Sequence, residues 1–404
     1  MPAISLNTTP PTQPKDRRNA RQKDLALRVD LMDDPTQLEQ LAEDWDRLAA
    51  QAVIPTVCLG FCWQAAWVEQ FLTPGRELFV LVVRREGRII GLAPWYRLRR
   101  RIIGLSLKEL RPIGAPETAS DYLDVLSAPG QQADVAAALY EHLHTRAASS
   151  WDLLSLEDIP ADSAFAMHVM RRLDQDGRSF ELEPRAYCPI ARLPDDPELL
   201  LRGLSSNRRE QFRRHRRLLE KRARLEQRAI TDLDALAAEQ LEALLEPLLR
   251  LHRRRWPEYD LRVYGFLSRV IARMRACGTR QTNEDLSASS RARLDYLLLD
   301  GREIGGLLHF DTQGRREMYL IGVDRDAHPR VSVGNVLVGM NLQQAVADGV
   351  GEYDFMKGVE TYKLHWSQAG RRTLVLRLMR PRSVAVMAWW LVRQLKAGMR
   401  LVLR

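Results

Sequence analysis

Cysteine is scarce, four in 404 residues. Cys58 and Cys62 stand one helical turn apart in an apolar stretch, while Cys188 and Cys277 stand alone. Neither a zinc-ligand spacing nor a disulfide framework can be built from them, so reduced thiols in a reducing compartment are expected. Long apolar runs are lacking as well. The longest without a charge, Val384 to Val392, is far shorter than the roughly 20 residues needed to cross a bilayer. Residues 1–24 hold no apolar core of the kind a secretory signal needs and are expected to be a disordered lead-in, which places the chain in the cytoplasm. Dinucleotide-binding Gly-x-Gly-x-x-Gly, phosphate-loop, His-Glu-x-x-His and Gly-x-Ser-x-Gly patterns are all missing, so nucleotide hydrolysis, zinc proteolysis and serine hydrolysis have no support. His142 and His144, two apart on a helix, face different directions, and no metal is expected. What remains, 45% hydrophobic and 28% charged residues, is an ordinary globular composition with length for two or three domains.

Positive charge is present but local. The net charge is +9, yet residues 205–228 hold ten Lys or Arg against three Glu, and residues 380–404 hold six Lys or Arg and no acid. The rest of the chain is therefore slightly acidic, and the two basic segments need their own explanation.

The chain also repeats itself. Residues 78–96 (LFVLVVRREGRIIGLAPWY) and 294–310 (LDYLLLDGREIGGLLHF) each read as a β-hairpin, two apolar runs around a turn with glycine. Downstream of the first come a strand ending at Asp121 to Leu126, a helix over 131–144 and a strand over 151–156. Downstream of the second come a strand over 317–323, a helix over 335–347 and a strand over 352–356. Two copies of β-β-β-α-β are predicted, a duplicated domain, since a solenoid would repeat every 20 to 50 residues or so. Between them, Leu241, Leu244, Leu245, Leu248 and His252 predict an amphipathic helix over 233–255, with Pro247 as a kink. The basic segment begins at Ser205-Ser206-Asn207, good capping residues, and reads as a helix anchored by Phe212, Leu218, Leu219 and Leu225. Residues 281–291 read as a polar loop.

The second copy resembles a known family. Its order matches the core of the GNAT acyltransferase fold, and the residues that carry the likeness are Val323-Asp324-Arg325-Asp326-Ala327-His328-Pro329, Ser332-Val333-Gly334-Asn335-Val336-Leu337, Glu352 to Gly358, and Tyr362-Lys363-Leu364-His365-Trp366. In detail they are similar to the cellulose biosynthesis acetyltransferase branch (CelD/BcsL type), whose duplication resembles that of FemAB-type aminoacyl transferases. The resemblance implies an α/β protein of two tandem GNAT-like domains with mixed, mostly antiparallel sheets and flanking helices. The expected boundaries are a lead-in over 1–24, an N-terminal domain over 25–190, a C-terminal domain over 191–380 with a basic helix over 205–228, and a basic amphipathic helix over 381–404.

It also implies a site. Ser332, Val333, Gly334 and Asn335 occupy the loop that holds the pyrophosphate of an acyl-coenzyme A in the family, although Pro329 and Ser332 replace two of its usual loop residues. Independently, a strand that ends in a short turn and feeds a helix aims unpaired N–H groups and the positive end of the helix dipole at whatever lies beyond. Relatives often supply a phenol to protonate the leaving thiolate where Tyr362 lies. Lys363 would contact donor phosphate or substrate, and Asp354 would serve as a base or orient one. Each has a plainer reading: helix packing for Tyr362, a solvated charge for Lys363, a structural acceptor for Asp354. His309 and Tyr319 would face the acceptor if their alternation holds. Arg208 and Arg209 on the basic segment would meet an acidic or phosphorylated acceptor, and nucleic acid is disfavoured by the lack of stacking aromatics, tRNA excepted.

In the tail, Arg393, Lys396, Arg400 and Arg404 fall on one helical stripe, with Trp389, Trp390, Leu391, Leu395, Met399 and Leu403 filling the remainder. That is the pattern of a helix lying on an anionic membrane at its inner face, and equally of one packed on the core. Taken together, the sequence reads as a transferase moving an acetyl or other acyl group from coenzyme A to an amine or hydroxyl of a small-molecule, saccharide or peptide acceptor, in envelope or polysaccharide metabolism. Two alternatives stay open, an aminoacyl transferase using charged tRNA and a catalytically silent membrane-peripheral scaffold.

Overall fold

Both expected hairpins form because each has β-branched and Leu-rich arms around a turn whose residues accept left-handed backbone, Glu86-Gly87 in the first and Asp300-Gly301 in the second. The computed structural model describes residues 27–278 and 290–402; the lead-in over 1–24 and most of the polar segment over 281–291 fall outside them. The first half contains β1 (Leu27–Met32), α1 (Ala42–Ala50), α2 (Phe61–Phe71), the hairpin β2 (Arg76–Arg85) and β3 (Arg88–Ile102), β4 (Leu105–Pro112), β5 (Leu126–Ser127), α3 (Gln132–His144), β6 (Leu153–Pro160), α4 (Ala164–Gln175) and β7 (Phe180–Arg192). The second contains α5 (Pro197–Arg202), α6 (Ser206–Arg222), β8 (Leu225–Ile230), α7 (Ala238–Arg255), α8 (Arg262–Gly278), β9 (Arg291–Leu299), β10 (Arg302–Thr312), β11 (Arg315–Val323), α9 (Val333–Ala347), β12 (Glu352–Asp354), α10 (Thr361–Trp366), β13 (Ala369–Met379) and α11 (Val384–Val402).

The strands join one mixed sheet in the order β1-β2-β3-β4-β6-β13-β7-β12-β11-β10-β9-β8, with β5 beside β3. Among the described residues only β4–β6 and β11–β12 are parallel pairs; the remainder are antiparallel. The α/β architecture with a mixed, mostly antiparallel sheet and flanking helices is thus the one expected. The halves are joined by an exchange: β7, last strand of the first half, pairs with β12, while β13, last strand of the second, pairs with β6. β7 and β13 also pair with each other along ten residues. One hydrophobic cluster runs through both halves, bringing Trp45, Trp63 and Trp67 together with Phe266, Phe310 and Leu320.

Several local expectations are corrected. The third strand of the first half is β4, so the strand placed at 121–126 shrinks to the two residues of β5. The basic segment is helical only to Arg222; Ala223 is extended, and Leu225 to Ile230 add an edge strand to β9. Residues 233–235 form a separate short turn ahead of α7. Cys62 and Cys277, unrelated by spacing, come within 3.0 Å across the α2–α8 contact between the halves.

Candidate active site

β11 and β12 pair only over Arg315–Glu317 and Glu352–Asp354. Beyond that the chain turns away from β11: Met356 has a left-handed backbone (φ 54°), and Gly358 follows at φ 119°. The N–H groups of Phe355 and Gly358 donate to Pro189 and Tyr187 of β7, at 3.0 Å each, instead of bonding to β11. A V-shaped gap therefore opens between residues 318–323 and 355–363. On its β11 wall Tyr319 is the extra residue of a β-bulge, since His309 opposes Met318 while Leu308 opposes Leu320. A bulge breaks the regular ladder and re-aims backbone groups, here just where the gap begins. The corresponding strand of the first half, β4, pairs with β3 without a bulge.

At the open end of β11 lies the N-terminus of α9. The side chain of Ser332, its cap residue, is exposed and makes no capping bond. The Ser332 N–H reaches the Nδ1 of buried His215 at 3.4 Å, and the Asn335 N–H turns back to the Ser332 carbonyl at 3.1 Å. The N–H groups of Val333 and Gly334 have no partner within the helix, as the first turn of any helix requires. Burial, with Arg214 and His328 nearby, lowers the pKa of His215, leaving its ring neutral and able to accept. Asn335 is committed to structure: its Oδ1 accepts from Trp366 Nε1 at 2.8 Å, and Trp366 stacks edge-on against Phe212 at 5.3 Å. Gly339 makes this possible, because a side chain there would collide with both rings. That packing clamps α6 and α10 against α9.

The opposite wall carries Glu360, Tyr362 and Lys363. Lys363 is buried, donates to the Lys357 carbonyl at 2.6 Å and pairs with Glu360 at 3.2 Å. The Glu360 oxygen in that ion pair, Oε2, is buried and makes no further contact by hydrogen bond. Burial, then Glu360, raises the Tyr362 phenol above its usual value, partly offset by Arg255. Arg255 ends α7, which lies close on β11 because Gly322 presents no side chain; a Cβ there would stand 2.7 Å from the Leu248 carbonyl. Sequence reasoning missed Glu360, His215 and Arg255. Only Glu360 left a trace, next to the Tyr362-Lys363 pair.

The remaining expected residues are spread around this region. Asp354 is wholly buried behind the gap and accepts from Tyr122 (2.8 Å), Arg315 (3.0 Å), Arg371 (3.4 Å) and the Met356 N–H (2.8 Å). Burial raises its pKa, with Arg315 opposing. His309 and Tyr319, expected on one side, point to opposite faces of the sheet, separated by the bulge. His309 is fully buried under α9, bonded to Tyr353 at 2.7 Å, and faces no accessible wall. Tyr319 packs on Trp63 and donates to the Thr118 carbonyl at 2.6 Å, at the junction of the halves. Arg208 reaches the His365 carbonyl at 3.2 Å and Arg209 is half-buried beside it on α6.

Close to this junction is a pocket of about 270 Å³ lined by Ser120, Asp158, Arg185 and Lys357 among others. Lys357 bonds Asp158 at 3.1 Å and Asp121 at 3.3 Å; burial lowers its pKa, but the two carboxylates more than reverse that. Ala119 and Asp158, both left-handed, border it.

Comparison with known proteins agrees with this geometry. Residues 206–364, from the start of α6 into α10, match a family model described as an acetyltransferase (GNAT) domain. No curated protein sequence matches the chain. Among solved structures, that of FemX superposes with a TM-score of 0.54 at 12% identity, covering 84% of this chain and 96% of its own. A tandem GNAT protein from the clavulanic acid biosynthesis pathway (TM-score 0.43, 15% identity) covers 88% of this chain and 99% of its own. For L-PGS from Bacillus licheniformis the values are 0.47 and 12%, with 89% and 96% covered. At such identities the FemX likeness speaks to the fold alone.

Proposed function

We propose that the protein is an acyltransferase whose donor, an acyl-coenzyme A, lies in the gap between β11 and residues 355–363, its diphosphate on the N–H groups of Val333 and Gly334. The observation that carries this reading is the coincidence of three features at one place: a parallel strand pair that splays after three residues, a bulge at Tyr319 at the point of splay, and a helix N-terminus with uncommitted amides at the mouth. Each amide bonded to an anion contributes about 1.5–3 kcal/mol, and the helix dipole adds to it.

For direct transfer, the acceptor's nitrogen or oxygen attacks the thioester carbonyl, a proton leaves the acceptor, and the sulfur departs as a thiolate that takes up a proton. Tyr362, held protonated across the neutral range, donates to the sulfur. Glu360 takes the acceptor's proton on Oε1, its Oε2 being paired with Lys363 at 3.2 Å. Lys363 offsets negative charge developing on the carbonyl oxygen. Asp354, saturated by four donors, positions the Met356 turn that opens the gap. Ser332 offers its hydroxyl at the mouth, while Asn335 fixes the loop through Trp366. Arg208 and Arg209 meet an acidic acceptor, a small molecule, saccharide or peptide; Tyr319 belongs to its inner wall. The cellulose-biosynthesis (CelD/BcsL) assignment and an acetyl donor remain part of this proposal.

Exposed cations of α6 beside the site favour a second reading, aminoacyl transfer from charged tRNA, since a polyanion would lie along them. Calorimetric titration with acetyl-, succinyl- and long-chain acyl-coenzyme A and with aminoacyl-tRNA separates the two. Saturable coenzyme A binding supports the first, tRNA binding alone supports the second, and neither leaves a silent scaffold.

A further inference from the structure

The C-terminal helix is not disposed as its basic stripe suggests. Arg393 turns toward the body and pairs with Glu181 and Glu183, while Ala385, Val386 and Trp389 pack with Leu107, Leu153 and Ile102. What faces solvent is apolar. Val384 is 64% exposed, Met387 67%, Trp390 43%, Leu391 52% and Leu395 60%. At 100° per residue they cover one arc of about 140°, interrupted among the described residues only by Gln394. Next to it, through the Ile102 contact, is the tip of the β3–β4 hairpin, where Ile103 is 73% exposed and Leu105 38%. Two segments 280 residues apart in sequence, roughly, thus present large apolar side chains from neighbouring elements.

Cations outnumber acids around them: Arg393 and Arg380 are matched by Glu181, Glu183 and Asp152, while Arg101 and Arg382 pair with no acid among the described residues. Residues 380–404 contain six Lys or Arg and no acid, Arg101 is exposed at the hairpin tip, and Arg382 is exposed at the start of the helix. Soluble proteins seldom expose an apolar face of this size without an occupant. Among the described residues no helix is long and apolar enough to cross a membrane, so a lipid occupant would be met from the side.

We propose that α11 and the β3–β4 hairpin tip together form a docking surface for an anionic lipid bilayer, the apolar arc entering the interface and the surrounding cations meeting lipid phosphates. A protein partner or a second copy would need acidic groups to match this rim. The face of this chain itself is cationic, which disfavours self-association through it.

Flotation of the full chain with phosphatidylcholine vesicles, with and without about one quarter phosphatidylglycerol, tests the surface independently of any transfer activity. The chain is expected to float with the anionic vesicles, to stay behind with the neutral ones, and to be released by salt. W390E and I103D should each lower the floated fraction at least fivefold, while V53D, an exposed apolar position elsewhere (72%), should leave it unchanged. Circular dichroism melting confirms that each variant is folded. No flotation of the wild type, or equal flotation of all variants, overturns the proposal. So does a dimer in sedimentation analysis that W390E converts to monomer, since a second copy would then own the face.

Discussion

Replacing Gly334 by Asp should move folding stability and donor affinity in opposite directions. Gly334 is helical, in the first turn of α9, and a Cβ there would meet only Val323 Cγ1, at an ordinary 3.6 Å. The fold should therefore accept the side chain. Losing a helical glycine is worth about 0.5–1 kcal/mol, and an acid in the first turn about 0.3–1 kcal/mol more. A bound diphosphate would instead meet a carboxylate roughly 5 Å away, a repulsion of about 3 kcal/mol at an effective dielectric constant near 20. The half-exposed position lets salt and water reduce that, so affinity for acyl-coenzyme A should fall about ten- to hundredfold. Calorimetry measures the affinity and thermal denaturation the stability; Gly334→Asn separates bulk from charge and should lose less. If Gly334→Asp binds the donor as tightly as the wild type, the diphosphate is not at this helix and the reasoning fails.

Three further outcomes follow from the site and its supports. Glu317 is wholly buried and its carboxyl pushed up to about 7 by burial, with Arg315 opposing. The folded protein then keeps a proton that the unfolded chain gives up near its ordinary value of 4.5, so this group's contribution to stability falls as pH rises between about 4.5 and 7. Glu317→Gln should flatten that slope, by up to about 3 kcal/mol in urea unfolding at pH 5 against pH 8, and an unchanged slope would refute the assignment. Gly339→Ala should destabilise by about 1–3 kcal/mol and raise hydrogen exchange over 206–222, because the added methyl meets Phe212 and Trp366; protection equal to wild type would contradict the clamp. Tyr362→Phe should lower kcat roughly a hundredfold with donor affinity within about twofold, whereas a packing role alone would leave kcat near normal.

Hairpins, crossover helices and the α9 loop were legible because their signals are local: alternation, a turn glycine, a strand feeding a helix. The rest depends on contacts remote in sequence. Nothing near Phe180 announces that β7 will sit beside β12, because the partner strand lies about 160 residues further along the chain. β4 was misplaced because its sequence, Leu-Ser-Leu-Lys-Glu-Leu-Arg-Pro, alternates only weakly. The His309 expectation failed at the bulge, which reverses alternation and cannot be seen without the partner strand. For Asp354 the sequence left a base and a structural acceptor open, and Arg315, Arg371 and Tyr122, remote in sequence, engage it as an acceptor. Arg393 looked like part of a stripe for an anionic membrane or for the core, and Glu181 and Glu183 of β7 draw it onto the body.

A crystal structure with a non-hydrolysable acyl-coenzyme A analogue bears most directly on the central claim. The account predicts diphosphate oxygens within about 3 Å of the Val333 and Gly334 nitrogens, the pantetheine arm between β11 and residues 355–363, and the thioester sulfur beside Tyr362. An analogue bound elsewhere, with those two amides still facing water, would contradict it.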